Sequence, residues 1–309
     1  MFNKVKVENL PTYIRKIESL FPEFTAPAKI RVSDVNTYYR ESFWGYALFH
    51  SWSGAIHMAL SKNGKFSKND YFRQAEEVEE SINNLPEKPQ RVLEIGCGRG
   101  FNIAYLASRF PDIEFIGVDI NDINIQSAKN RVSTLNNASI VNDDFHGLES
   151  FEDTTFGLVF AVESLCHANS MNSALRSIGR VLTAGGKLVV FDAFRDATVA
   201  GDALAQKAVV YTERAMAVPE FRKIDSFVNS AQRAGLSLDY TQDRSAEIMP
   251  NLIRLSDLAK AFFKSPVIAK IILGTLPRGL VTNAVAGLLM AVTVQLGVHQ
   301  YGKLVFSKA

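Results

Sequence analysis

The segment that most restricts the fold is a short strand that opens onto a glycine loop and then a helix. Arg91-Val-Leu-Glu-Ile95 is an aliphatic, β-forming run, and Gly96, Gly98 and Gly100 follow it at alternate positions. From Asn102 to Phe110 the apolar period changes to that of a helix, with Ile103, Leu106, Ala107 and Phe110 on one face. Glu114-Phe-Ile-Gly-Val-Asp119 repeats the strand pattern with an acid at its end, and a helix is predicted over 124–135. Further strands are predicted at Ser139 to Asp143, Gly157 to Val162, Gly186 to Phe191, Leu236 to Tyr240 and Tyr301 to Ser307, with a helix from Phe221 to Ala234. Alternation of this kind needs right-handed crossovers and a mainly parallel sheet. The expected class is α/β: a doubly wound, seven-stranded, Rossmann-like sheet with N-terminal helices and a helical insert before the last strand.

This pattern divides the chain into an aromatic-rich helical cap (1–85), an α/β core (86–245), an apolar helical insert (246–299) and a last core strand (300–309). Lys and Arg number 34 against 32 Asp and Glu, and neither sign forms a block long enough to neutralise a run of phosphates, so nucleic acid is not the expected partner. Met1 to Leu10 holds Lys4 and Lys6 without a signal-like apolar run. The two cysteines, Cys97 and Cys166, have no metal-ligand spacing. A cytoplasmic protein without a bound metal is expected.

In an open parallel sheet, ligands sit beyond the carboxyl ends of the strands, and the loop after the first strand meets them with backbone. A dinucleotide fingerprint would place glycine at 101, where this chain has Phe101, and it would not end the strand with an acid. Glu94 would repel a diphosphate but attract the sulfonium and α-amino group of S-adenosylmethionine. Gly96, Cys97, Gly98 and Gly100 would form the cradle. Asp119 would accept from the ribose hydroxyls, Ile120 would lie on the adenine, and Asp144 and Phe145 would offer a carboxylate and a ring to that base.

The run Val92-Leu-Glu-Ile-Gly-Cys-Gly-Arg-Gly100, with Gly117-Val-Asp119-Ile120, Asp144 and Val181-Leu-Thr-Ala-Gly-Gly-Lys-Leu188, resembles the class I methyltransferases over residues 91–193. Two departures stand out. Phe156-Gly157 replaces the family's frequent Phe-Asp, and Ala184 replaces a proline.

After the fourth strand, Glu163-Ser-Leu-Cys166-His167-Ala faces the same rim. In a helical turn Glu163 and His167 would share a face, putting an acid and a base beside the methyl donor. His167, with a pKa near neutral, would serve an oxygen nucleophile, and Glu163 would serve an alkene. The ordinary readings are a helix cap for Glu163 and a packed core imidazole for His167. The wording Glu-x-x-Cys-His-Ala, with Trp52 and His57 in an aromatic N-terminal run, resembles the sterol C-methyltransferases and their tocopherol and prenyl-diphosphate relatives, although Ser51-Trp52-Ser53-Gly54 replaces their Gly-Trp-Gly.

That resemblance implies C-methylation of an isoprenoid or sterol-like alkene. O-methylation of a lipid acid, phenol or hydroxyl is the alternative, and a noncatalytic S-adenosylmethionine-binding subunit is the alternative of another class. Tyr46, Trp52, His57, Phe262 and Phe263 are the candidate acceptor contacts, against ordinary core packing. Residues 280–298 carry no formal charge, and Thr282, Asn283, Thr293 and Gln295 argue for a greasy lid rather than a membrane span. A hydrophobic small-molecule substrate is expected, and peripheral membrane contact and homo-oligomerisation are both left open.

Overall fold

The computed structural model describes residues 6–26, 37, 40, 41, 51, 53–196 and 202–309. Seven strands form one sheet: β1 (Arg91–Ile95), β2 (Glu114–Asp119), β3 (Ala138–Asn142), β4 (Phe156–Val162), β5 (Leu182–Arg195), β6 (Leu236–Asp243) and β7 (His299–Lys308). Their order is β3-β2-β1-β4-β5-β7-β6. The first five are mutually parallel, and β7 runs antiparallel between β5 and β6. The reversal of strand order between β1 and β4 makes the switch point at which such sheets bind ligands.

The described helices are α1 (Leu10–Leu20), α2 (Arg73–Asn83), α3 (Phe101–Arg109), α4 (Asp122–Val132), α5 (Met171–Val181), α6 (Ala203–Ala215), α7 (Ile224–Arg233), α8 (Ser245–Phe262), α9 (Pro266–Thr275) and α10 (Arg278–Gln295). Central strands are buried on both faces, as Val92, Leu93 and Ile95 of β1 are, because helices cover each side. Ala174, Leu175, Ile178 and Val181 of α5 pack on one face, and Ile103, Leu106, Ile125 and Ala128 of α3 and α4 on the other. Local chemistry fixes the helix starts. Asn121 accepts from the backbone of Asn124, Ser170 from Ser173 and Ser265 from Ile268, each satisfying an amide that the first turn leaves open.

The predicted helix from Phe221 starts later, at Ile224, because Phe221 is drawn into the core with Val218 and Cys166. β5 extends to Arg195, beyond the run that ended at Phe191, because β7 pairs with it along its length to Arg195↔His299. Helices α5 and α6 had no separate place in the sequence reading. The insert is three helices: α10 packs against α8 and α6, and α9 lies outside them. Gly157 stands where a Cβ would lie 2.8 Å from Pro89 Cβ, so a side chain at this position would displace the loop entering β1.

Candidate active site

Loops from β1, β2, β3, β4 and β5 converge on one cleft of about 1280 Å³, open mouth included. Its floor is the glycine loop. Gly96 has φ +65° and Gly98 φ +52°, conformations that cost a residue with a Cβ. The glycines also answer to neighbouring protein. A Cβ at Gly96 would lie 2.4 Å from Ser164 Cβ, and one at Gly98 would lie 2.6 Å from Ile56 Cδ1. Bare backbone was expected to meet a ligand, and it also lets the β4 loop and the N-terminal segment close over the floor. Ser164 Oγ donates to the Ile95 carbonyl at 2.6 Å, which ties the β1 and β4 ends together.

Asp119 is nearly buried. Its Oδ2 accepts from the Gly98 amide at 2.9 Å and its Oδ1 from the Asn121 amide at 2.8 Å. Both oxygens therefore brace the loop and keep further lone pairs for a ligand. Burial raises its pKa to about 6. Glu94 Oε1 accepts from Asn102 Nδ2 at 2.8 Å, while Oε2 is buried with no hydrogen-bond partner among the described residues. Burial pushes this carboxyl up to about 8. Ile120, Phe145 and Cys97 line the cleft, and Cys97 packs against Gly117, whose Cβ would fall 2.7 Å from its sulfur. Asp144 reaches the rim, where its Oδ1 accepts from the backbone and side chain of His146; the Phe145 ring lies 4.7 Å from that imidazole.

Glu163 sits at the other end of the cleft. It is a non-glycine residue at φ +52°, a conformation costing about 1 to 3 kcal/mol and kept only where the surroundings enforce it. Those surroundings are visible. Its amide donates to the Phe191 carbonyl at 2.8 Å, and its Oε1 accepts from the Met58 amide at 2.7 Å and from the Tyr301 hydroxyl at 2.8 Å. Gln74 of α2 donates to both Met58 O and the Tyr301 oxygen, closing the ring of contacts. Burial raises the Glu163 pKa to about 8, with the Met58 and Tyr301 bonds acting the other way.

The segment after β4 is a single 3₁₀ turn, Leu165–His167, so the expected α-helical turn with Glu163 and His167 on one face does not form. Both residues still line the cleft. His167 Nδ1 lies 3.3 Å from the Ala217 carbonyl, and burial lowers its pKa to about 4, against the near-neutral value expected. His57 also lines the cleft, but on the Glu94 side. Its ring stands edge-on to Phe101 and Tyr71, its Nδ1 is 3.1 Å from Met58 O, and burial lowers its pKa to about 4. Tyr46 and Trp52 lie outside the described residues. Phe262 and Phe263 do not line this cleft: they pack against Phe21 just beyond α1, with ring centroids 6.4 and 6.2 Å away.

Two residues escaped the sequence reading. Asp192, at the end of β5, accepts from the amides of Cys166 and Ala193, and burial raises its pKa to about 6. Tyr301, from β7, holds Glu163. The sequence signal for Asp192 was an acid closing the apolar run Leu188 to Phe191; Tyr301 had none nearby. Among the described lining residues, Glu94, Asp119, Asp144, Glu163 and Asp192 outnumber the one permanent cation, Arg99, and among the described residues no His/Cys/Asp/Glu group suits a metal ion. A desolvated cleft with this excess of carboxylates favours a cationic ligand.

Beyond Glu163 the cleft meets a second, narrow pocket of about 380 Å³, open space included, which shares Met58, Glu163, Ala193, Met216 and Phe221 with it. Ile248 of α8 and Met290 and Val294 of α10 form its apolar wall.

Residues 93–190, which carry the β1, β2, β3 and β4 ends of this cleft, match a family described as a methyltransferase domain. Over residues 93–190 the chain carries a methyltransferase domain. Around it the similarity reaches further. The chain is 27% identical to a sterol 24-C-methyltransferase of Kluyveromyces lactis over 220 residues, 62% of this chain and 59% of that protein. It is 31% identical to the O-methyltransferase rstn1 of Aspergillus nomiae over 127 residues, 40% of this chain and 55% of that one. The matches thus span less than two thirds of either relative. A solved geranyl diphosphate C-methyltransferase from Streptomyces coelicolor, complexed with Mg²⁺, geranyl diphosphate and S-adenosylhomocysteine, shares the fold of the methyltransferase domain and its additions. Its TM-score is 0.63 at 14% identity, covering 88% of this chain and 98% of that one.

Proposed function

We propose that this chain transfers the methyl group of S-adenosylmethionine to a carbon atom of a hydrophobic, isoprenoid or sterol-like alkene. One observation carries the reading: a half-buried carboxylate, Glu163, stands at the junction of the acidic cleft and the apolar cavity, fixed by Met58 and Tyr301. S-adenosylmethionine is the cofactor. The residues present suit it, with an unpartnered Glu94 oxygen, an Asp119 carboxylate braced by the glycine loop, and an acidic lining that attracts a sulfonium and an ammonium. The sterol 24-C-methyltransferase relative supports the same reaction class.

When bound, the cofactor supplies an electrophilic methyl on a sulfonium that leaves as a neutral thioether. The alkene π pair forms the new carbon–carbon bond, and the positive charge that results on the acceptor is discharged by loss of a proton. Glu163 has both properties this requires. As a carboxylate it stabilises the positive charge, and with a pKa raised to about 8 it is a stronger base than an exposed glutamate. The bonds from Met58 and Tyr301 hold Oε1 while Oε2 keeps no protein partner among the described residues. The apolar wall of Ile248, Met290 and Val294 excludes water that would otherwise quench the cation. His167 is the weaker candidate base, because an imidazole with a pKa of about 4 takes up a proton poorly at neutral pH.

The test is incubation of the purified chain with methyl-labelled S-adenosylmethionine and a panel of sterols, prenyl diphosphates and lipid extracts, followed by organic extraction and mass spectrometry. A product that gains one methyl on carbon supports the proposal. Label released by ester or ether cleavage would replace it with O-methylation. Tight cofactor binding with no labelled product from any acceptor would leave a cofactor-binding subunit.

A further inference from the structure

The insert presents a face that neither the cofactor cleft nor the acceptor cavity uses. In α9 only Ala269 is fully buried, while Val267, Ile268 and Ile271 are 70%, 57% and 62% exposed, and Leu276 just beyond the helix is 45% exposed. Residues 267, 268 and 271 are spaced to form one stripe along the helix. Three branched aliphatic side chains on a single exposed helix are a concentrated apolar patch, whereas the large exposed hydrophobics away from the insert's α9 and its end are scattered over α4, α6, β6 and α8 with at most two on any one element.

Charge identifies the partner. Residues 258–280 contain four Lys or Arg and no Asp or Glu. Lys260 is paired with Asp257 and Arg278 with Glu23, but Lys264 and Lys270, which flank the stripe, form no ion pair among the described residues. Lys264 lies in the turn just before the helix, and Lys270 lies within it. An apolar stripe bordered by unpaired lysines suits the boundary between acyl chains and anionic headgroups, where the aliphatic groups enter the lipid and the ammonium groups stay at phosphate level.

We infer that α9 and its flanking lysines dock this chain onto an anionic lipid surface, with the helix lying in the plane of the interface. The mode is peripheral. Helix α10 is long and apolar enough to cross a bilayer, but half of it is buried in the fold against α8 and α6, and the strand that follows it sits inside the sheet. Helix α9, at ten residues, is about 15 Å long and too short to span.

The test is co-sedimentation of the full chain with vesicles of phosphatidylcholine alone and of phosphatidylcholine containing roughly one third phosphatidylglycerol, an anionic surface that attracts basic segments. The native chain is expected to partition onto the anionic vesicles at least about tenfold better than onto the neutral ones, and added salt should weaken this binding. The pair Ile268→Asp and Ile271→Asp should lower binding by about tenfold or more. Lys264→Glu with Lys270→Glu should remove the preference for anionic lipid. All four side chains are on the surface, so an unchanged melting temperature will show that the variants fold. Equal binding of native chain and Ile268→Asp/Ile271→Asp variant would overturn the inference. So would a dimer in sedimentation equilibrium that the same substitutions dissociate, since the stripe would then belong to a second copy.

Discussion

The two halves of the site are built by different means. The half assigned to the cofactor consists of residues within about one strand–loop–helix unit of each other: Glu94, the glycine loop, and Asp119 at the end of the next strand. The half assigned to the acceptor is assembled from distant parts of the chain. Glu163 is held by Met58, 105 residues before it, and by Tyr301, 138 residues after it, and its apolar wall comes from α8 and α10. The first half is fixed by backbone conformation and recurs wherever the motif recurs. The second is fixed by packing, so it can change with the acceptor while the first stays constant.

Substitutions should therefore separate the halves. Glu163→Gln keeps shape but cannot carry the negative charge, so we expect kcat to fall about a thousandfold, the middle of the range for loss of a positioned base, with cofactor Kd within about threefold of native. Stopped assays beside calorimetric titration will show whether the two readouts part. Asp119→Ala removes a carboxylate that braces Gly98 and Asn121 and is assigned to the ribose. Cofactor Kd should rise about a hundredfold, consistent with charge-assisted bonds of about 1.5 to 3 kcal/mol each. If Asp119→Ala instead left affinity intact while abolishing turnover, the division between the halves would fail.

Smaller changes sharpen the acceptor half. Tyr301→Phe removes one donor to Glu163 Oε1, so kcat should drop about tenfold and the basic carboxylate should become more basic still, moving the kcat/KM profile to higher pH. Met290→Trp should fill part of the apolar cavity, raising KM several-fold for a bulky acceptor while cofactor affinity stays native. A Met290→Trp protein with unchanged KM for every acceptor would remove this cavity from the substrate path.

The same contrast explains what could be read from the sequence. The α/β alternation, the glycine loop and Asp119 were legible because each is a local pattern with a local cause. The order in which β7 inserts between β5 and β6 places Tyr301 beside Glu163, and no spacing in the chain announces that contact. Asp192 was hidden because an acid at the end of a buried strand looks like the start of a loop. Phe262 and Phe263 were expected at the acceptor, yet they face Phe21, because an apolar insert has a core of its own to fill before it lines a cavity. The helical turn that would have aligned Glu163 with His167 fails because Glu163 is locked in a left-handed conformation by its contacts to Phe191, Met58 and Tyr301.

The most direct test of the central claim, that the Glu163 carboxylate drives the chemistry, is the pH dependence of kcat/KM. The free protein holds Glu163 with a pKa raised to about 8, and only the deprotonated form acts as base, so kcat/KM should rise tenfold per pH unit below about pH 8 and then level off. Glu163→Gln should flatten this rise at its much lower rate. A native profile already level from pH 6 upward, or one whose rise persists unchanged in Glu163→Gln, would contradict the account and move the essential base to another residue.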